Sequence, residues 1–123
     1  MSKTTTFQLK VVIIDSKELM VGFGTRDVFG NSTIYTHKEF QGYKFSQNIF
    51  ENGLSRSVPS NLEIANGSSL SIKINRTENV VIWNMGGSQL AKANIPEIMR
   101  NKPLFLILIC FNKNEELELL IDQ

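Results

Sequence analysis

The stretch LSIKINRTENVVIWNMGG, residues 70–87, decides the fold. Leu70, Ile72 and Ile74 alternate with polar residues, which is the period of a strand that buries one face. A four-residue turn and the apolar run VVIWN (80–84) follow, and two glycines end the stretch. The pattern predicts two neighbouring strands of a sheet whose apolar face is covered by other parts of the chain.

A second glycine-punctuated region lies near the start of the chain. The segments FQLKVVII (7–14) and LMVGFGT (19–25) flank the short polar spacer 15–18, and this arrangement predicts a hairpin. Gly22 and Gly24 fall on the same face of the second segment. Because glycine has no side chain, we expect another part of the chain to approach that face closely.

The remaining segments are less regular. Between residues 26 and 66 the apolar residues are isolated aromatics in a polar background. The expected short strands lie near 33–36, 42–46 and 61–65, joined by long loops. The segment 89–99 contains the one plausible helical turn, with Asn94 as its N-cap. Two further strands are expected from LFLILICF (104–111), interpreted as a buried strand, and ELELLI (116–121).

About eight strands with little helix predict an all-β protein. Each apolar strand face must be covered, and a second sheet is the available cover when helices are absent. We therefore expect residues 1–123 to fold as one domain, an antiparallel two-sheet β-sandwich or jelly roll.

Composition argues against several classes of function. The chain has 13 Lys+Arg and 12 Asp+Glu, a formal net charge of +1, so no broad field attracts nucleic acid or an anionic membrane. The longest apolar run, 104–111, is too short to cross a bilayer as a helix. The first residues lack the layout of a secretion signal, so we expect a cytoplasmic protein.

The residue types that carry chemistry are sparse. Cys110, the only cysteine, lies in an apolar run and is expected in the core. His37 is the only histidine and has no neighbours at metal-ligand spacing. The glycines between 22 and 30 lack the spacing and the following helix of a phosphate loop, and the acidic residues are scattered singly. We therefore expect no catalytic residues, no metal, no cofactor and no enzymatic activity.

The order of the segments resembles the SPRY domain family, a concanavalin-like β-sandwich used for protein recognition. The matching segments are FQLKVVIIDSKELMVGF (7–23), QGYKF (41–45), the region from Gly67 through LSIKIN, VVIW and NMGG, Ile95-Pro96, and PLFLILIC (103–110). Three positions depart from the family pattern: Ser68 replaces an acidic residue, Met85-Gly86-Gly87 replaces an Asn-Gly turn, and Leu106 replaces a proline. No ligand motif of the family is carried over to this chain.

The resemblance implies a non-catalytic protein–protein interaction module that binds through loops at one end or rim of the sandwich. Such a module would be an adaptor or a small structural subunit of a larger intracellular assembly, cytoskeletal assemblies included. Loops between 26 and 56 are rich in aromatic residues and arginine, which dominate binding hot spots. The expected partner-binding residues are Arg26, Asp27, Phe29, Asn31, Tyr43, Phe50 and Arg56. The alternative is that these aromatic residues fold inward and fill the ends of the sandwich.

A carbohydrate-binding, lectin-like β-sandwich is the alternative function. It requires an exposed aromatic residue beside a polar one, and Trp83 with Asn84 is the candidate pair. The opposing interpretation places Trp83 in the core, as an aromatic residue of a half-buried strand.

Overall fold

Ten strands form two antiparallel sheets in the computed structural model, which describes residues 4–13, 18–30, 33–110 and 115–120. The first sheet contains β1 (Thr4–Ile13), β6 (Ser69–Asn75), β7 (Val80–Met85), β8 (Ser88–Asn94) and β10 (Glu116–Leu120), in the order β10-β1-β6-β7-β8. The second sheet contains β2 (Met20–Gly24), β3 (Phe40–Lys44), β4 (Asn48–Glu51), β5 (Leu54–Ser57) and β9 (Phe105–Ile109), in the order β5-β4-β3-β2-β9. Short 3₁₀ turns lie at Arg26–Val28, Ile34–Thr36 and Glu97–Met99. The prediction of an all-β, two-sheet protein is confirmed.

The alternating strand that decides the fold forms as predicted. Leu70, Ile72 and Ile74 are buried on β6, and the intervening side chains are exposed or half-buried. A turn at residues 76–79 leads into β7, which pairs with β6 in antiparallel register. Burying one apolar side chain of this size stabilises the fold by about 2 kcal/mol, so the inner faces of the two sheets provide the main stabilising contribution.

Trp83 joins the two sheets at the centre of the core. It lies on β7 of the first sheet and is 2% exposed. Its indole Nε1 donates a hydrogen bond to the carbonyl oxygen of Val21 on β2 of the second sheet, at 2.9 Å. The rings of Phe23 and Tyr43, both from the second sheet, lie 6.4 Å and 6.3 Å from the Trp83 ring. The core interpretation of Trp83 is confirmed.

The opposite face of the second sheet carries a smaller cluster. Met20, Val28, Phe40 and Ile107 are buried there, under the 3₁₀ turns that follow β2 and precede β3. The close approach predicted at the β2 glycines is present. A β-carbon at Gly22 would overlap the carbonyl oxygen of the adjacent β3 strand and would lie 2.5 Å from the Cα of the residue opposite it.

The predicted hairpin between residues 7–14 and 19–25 is wrong. Strand β1 pairs with β6 and β10, whereas β2 pairs with β3 and β9, so the chain passes from one sheet to the other between them. Both strands are apolar, and a short polar spacer is compatible with either route. The strands that pair with β1 and β2 on both edges are distant in the chain, and they determine which route the chain takes.

Several predicted elements in the irregular part of the chain also differ. Residues 34–36 form a 3₁₀ turn and 61–65 form no strand, and β8 forms within the segment for which only a helical turn was predicted. Strands β4 and β5 were not predicted either. Their signal was the dipeptide Asn52-Gly53, whose φ angles of 52° and 77° suit the two-residue turn between them. Asn94 ends β8 and is not an N-cap, because the 3₁₀ turn begins three residues later, after Pro96.

The strand within the apolar run 104–111, β9, is an edge strand and not a buried one. Among the strands that the structure describes, β9 pairs only with β2, and Phe105 and Leu108 are 41% and 38% exposed. Cys110 directly after it is exposed, so its predicted place in the core is wrong. Continuous apolar composition suggests burial on both faces, but it does not show whether a strand lies at the centre or at the edge of a sheet.

Replacing Trp83 should weaken the fold strongly. We expect Trp83→Ala to lower the free energy of unfolding by about 3–5 kcal/mol, because it opens a cavity between the sheets. Trp83→Phe keeps most of the ring and should lose about 1 kcal/mol with the hydrogen bond to Val21. Urea unfolding followed by circular dichroism measures both changes. A Trp83→Ala protein of unchanged stability would contradict the central position of this residue.

The contact at Gly22 provides a second stability test. We expect Gly22→Ala to lower the free energy of unfolding by about 3 kcal/mol, because the added methyl group meets backbone atoms that cannot rotate away. Ser55→Ala, on the exposed edge strand β5 of the same sheet, is the matched control and should change it by less than about 0.5 kcal/mol. Equal stability of the two variants would refute the close approach of β2 and β3.

Candidate protein-interaction surface

The residues predicted to bind a partner are divided among three places. Arg26, Asp27 and Phe29 lie together at the turn after β2, and all three are exposed. Phe50 and Arg56 lie on β4 and β5, towards the opposite edge of the second sheet. The prediction for Asn31 falls outside the described residues.

Tyr43 lies in the core. It is 2% exposed beside Trp83, and this burial raises the pKa of its hydroxyl group. The alternative that some loop aromatics fold inward therefore holds for this residue. Its side chain is not available to a partner on the surface.

An exposed aromatic pair marks the region of the turn after β2. Phe29 is 50% exposed and Phe105, at the start of β9, is 41% exposed. Their rings meet edge to face, with centroids 5.7 Å apart and an interplanar angle of 73°. We call these two residues the aromatic patch. Phe105 was not among the predicted residues, because its run of apolar neighbours suggested a buried strand.

A buried carboxylate holds the base of this surface. Glu39 is 4% exposed and accepts hydrogen bonds from the hydroxyl of Thr25, at 3.0 Å, and from Nζ of Lys102, at 2.5 Å. The same Lys102 nitrogen lies 3.5 Å from a carboxylate oxygen of Asp27. These contacts connect the segment before β9 to the turn that carries Phe29. The two chain segments that carry the rings of the aromatic patch are therefore joined by one network of hydrogen bonds and ion pairs.

The ion pair determines the ionisation of the buried group. The hydrogen bond from Lys102 holds the pKa of Glu39 below its ordinary value, against the opposing effect of burial. The pKa of Lys102 is raised in turn, first of all by its hydrogen bond to Glu39. Both groups are therefore charged at neutral pH, which satisfies the requirement that a buried charge has a partner.

Arg56 takes part in a group of polar contacts between the two sheets. Arg56 Nε donates to Glu51 at 2.8 Å, and its Nη2 donates to the carbonyl oxygen of Lys92 on β8 at 3.4 Å. The amide nitrogen of Gln41 donates to the same glutamate and to the carbonyl oxygen of Asn94, so this group joins the second sheet to β8 of the first. The side-chain amide oxygen of Gln41 is buried and has no hydrogen-bond partner among the described residues.

Phe50 packs against a ring on the surface of the second sheet. The rings of Phe50 and Tyr35 meet edge to face at 5.7 Å, and the Lys44 ammonium lies 5.8 Å from the Phe50 centroid. Neither Phe50 nor Arg56 adjoins the aromatic patch, since β9 and β5 are at opposite ends of the sheet order. Their role in partner binding stays a sequence-based prediction.

A large open cavity is lined in part by Lys102. It has a volume of about 630 Å³ and is lined by Arg76 and Asn79 of the turn after β6, and by residues 97 and 100–103. Two terminal nitrogens of Arg76 donate to the carbonyl oxygens of Arg100 and Lys102, at 3.1 and 2.9 Å, and fix one wall of the cavity. We call this cavity the basic cleft. Sequence reasoning missed it, because the cations between residues 92 and 102 form no dense run and Arg76 is distant in the chain.

The described residues also bear on three other kinds of feature: a metal site, a membrane-spanning helix and a sugar-binding surface. Within the described ranges, no three His, Cys, Asp or Glu side chains cluster closely enough to hold a metal ion. None of the helical segments in that part of the chain is long and apolar enough to span a membrane. Trp83 is buried, so the lectin-like alternative lacks the exposed ring that it requires.

The network at Glu39 predicts a pH-dependent effect of Lys102→Gln. A carboxylate whose folded pKa is depressed contributes stability above its unfolded pKa, ordinarily 4.5, and loses that contribution as the pH falls through the folded pKa. We therefore expect Lys102→Gln to lower the melting temperature at pH 7, and the difference from the unmodified protein to shrink towards about pH 3.

Thermal unfolding between these pH values measures the difference. Lys73→Gln is the matched control, because Lys73 is an exposed cation on β6 away from this network. Its effect should be small at every pH. A Lys102→Gln difference that stays constant with pH would show that the ion pair does not determine the ionisation of Glu39.

Comparison with known proteins identifies the fold. No protein-family model matches the chain, and no curated protein sequence matches it. The SPRY domain of human HERC1 superposes with a TM-score of 0.74 at 12% identity, over 96% of this chain and 74% of that chain. The PSpry domain of TRIM65 superposes with a TM-score of 0.76 at 10% identity, over 99% of this chain and 66% of that chain. The protein therefore has the SPRY-like β-sandwich fold that its order of segments predicted.

Proposed function

We propose that the protein is a non-catalytic protein–protein interaction module that binds its partner through the aromatic patch. The observation that carries this proposal is the exposed pair Phe29 and Phe105, which the hydrogen-bonded base at Glu39 holds in place. Arg26 and Asp27 stand beside the pair and provide a polar rim. A cluster of large aromatic side chains with a polar rim is the usual arrangement of a binding hot spot.

Preorganisation supports this role. A phenylalanine ring has only two rotatable bonds, and each ring of the patch already packs against the other. The turn that carries Phe29 covers the second sheet through the buried Val28, so little of this surface has to be ordered when a partner arrives. Binding loses less free energy to ordering when the surface is rigid beforehand.

Structural likeness points in the same direction. The two similar structures are SPRY domains, and the present chain matches their fold over nearly its whole length. We propose that the chain acts as one such domain, as an adaptor or small structural subunit of a larger cytoplasmic assembly. The carbohydrate-binding alternative has no comparable surface feature, because Trp83 is in the core.

The proposal is tested by affinity capture from a native extract of the organism that encodes the chain. We expect the unmodified protein to recover a reproducible set of proteins, and Phe29→Ser to lose that set. Truncating a hot-spot aromatic typically removes about 2 kcal/mol or more, roughly a thirtyfold loss of affinity.

Leu54→Ser is the matched control, since Leu54 is 71% exposed on β5, far along the sheet from the patch. It removes an exposed apolar side chain and should keep the captured set. Thermal unfolding establishes that both variants are folded. Retention of the full set by Phe29→Ser, or recovery of no protein at all by the unmodified chain, would contradict the proposal.

A further inference from the structure

The basic cleft adjoins the aromatic patch. Lys102 lines the cleft and also lies 3.5 Å from Asp27 in the turn that carries Phe29. Phe105 follows Lys102 by three residues. Lys102 therefore connects the cleft to the turn that carries one ring of the patch.

The charges that line the cleft have a positive excess. Arg76, Arg100 and Lys102 oppose the single carboxylate of Glu97 among the residues that line it. Lys102 is already paired with the buried Glu39, so Arg76 and Arg100 supply the charge that attracts a ligand. Charge complementarity of this kind selects the partner and its orientation.

Arg100 provides the donors that remain. Its Nε donates to the carbonyl oxygen of Ile95 at 2.9 Å, which fixes the plane of the guanidinium group. Among the described residues, its two terminal nitrogens make no hydrogen bond. Nearby, the side-chain amides of Asn79 and Asn101 line the same cavity. A fixed guanidinium plane with two free nitrogens suits a carboxylate, which it can bind through two parallel hydrogen bonds.

We propose that the basic cleft binds an acidic segment of the protein partner, rich in aspartate or glutamate. The proposal rests on the proposed function and names the chemistry of the partner. Carboxylates fit better than phosphate, because each terminal nitrogen of Arg76 already donates one N–H to a backbone carbonyl oxygen and Lys102 is held by Glu39. Among the described residues, Arg100 is therefore the one cation of the cleft whose terminal nitrogens make no hydrogen bond, and Glu97 would repel a dianion more strongly than a single carboxylate.

The experiment titrates the peptide acetyl-Asp-Glu-Asp-Glu-Asp-amide into ¹⁵N-labelled protein and follows amide chemical shifts. We expect the largest shifts at Asn79, Arg100 and Asn101, together with the Nε–H signal of Arg100, and a weaker affinity as salt rises. The uncharged peptide acetyl-Asn-Gln-Asn-Gln-Asn-amide should cause none of these shifts. Shifts centred elsewhere, or an equal response to the uncharged peptide, would overturn the proposal.

Two substitutions at exposed positions test the charge without disturbing the wall of the cleft. Glu97→Gln removes the opposing carboxylate and should tighten peptide binding by about threefold, and Asn101→Glu should weaken it by about threefold. The matched controls change the same charges at exposed sites outside the cleft: Glu118→Gln on β10 and Asn61→Glu in the loop after β5. If the control variants change the affinity for the peptide as much as the cleft variants do, the effect is a general one of net charge, and a specific site is refuted.

A phosphoserine peptide and inorganic phosphate form the competing arm of the titration. Tighter binding of either one at Arg100 would overturn the assignment to carboxylates.

The capture experiment separates this inference from the proposed function. If the partner set survives Asn101→Glu and the acidic peptide does not bind, the cleft proposal fails while the aromatic patch stands. If Phe29→Ser keeps the set while the peptide binds the cleft, the patch proposal fails instead.

Discussion

The hydrogen bond from the Trp83 indole to the Val21 carbonyl oxygen joins an interior strand of one sheet, β7, to an interior strand of the other, β2. Ala91 stands opposite Trp83 on β8, and this small neighbour leaves room for the indole on the inner face. A large ring between two sheets fixes their separation, and the directional hydrogen bond also fixes their relative position. The apolar alternation of the flanking strands contributes most of the burial, and this contact adds a directional link between the two sheets.

Polar contacts hold the two sides of the sandwich around that centre. On one side, Gln41, Glu51 and Arg56 join the second sheet to the backbone of β8. On the other, Glu39 and Lys102 connect the start of β3 to the segment that precedes β9. A buried charge is unfavourable unless it is paired and hydrogen-bonded, so Glu39 allows few arrangements of its neighbours. These contacts connect the turn that carries Phe29 to the segment before β9.

The sequence predicted the parts of the fold that local patterns specify. The alternation of β6 and the turn before β7 were identified because a period of two is a property of adjacent residues. The placement of β1 and β2 in different sheets was not predicted, because a short polar spacer fits both a hairpin and a passage between sheets. Strands β4 and β5 were missed although Asn52-Gly53 is a strong turn signal, since their side chains are too polar to stand out.

The candidate site divides in the same way. Arg26, Asp27 and Phe29 could be selected by residue type within one loop, and the structure brings them together at the surface. Phe105 and the cleft residues could not be selected in this way. Arg76 and Arg100, for example, meet through the packing of two turns that are distant in the chain. Tyr43 was misplaced because it follows a glycine in a polar region, and the sequence did not show that its side chain points between the sheets. Contacts between remote segments depend on topology, which a single sequence specifies weakly.

The outer position of β9 has a practical consequence for handling the protein. The strand Phe105–Ile109 is entirely apolar, and in the sheet order it hydrogen-bonds to one neighbour, β2. It contains neither the lysine nor the proline by which many proteins protect such a strand from pairing with another molecule. Concentrated samples of the purified chain will therefore be prone to aggregate through added strands, and fusion to a highly charged carrier, or co-expression with whatever normally shields that side, will improve the yield of monodisperse material.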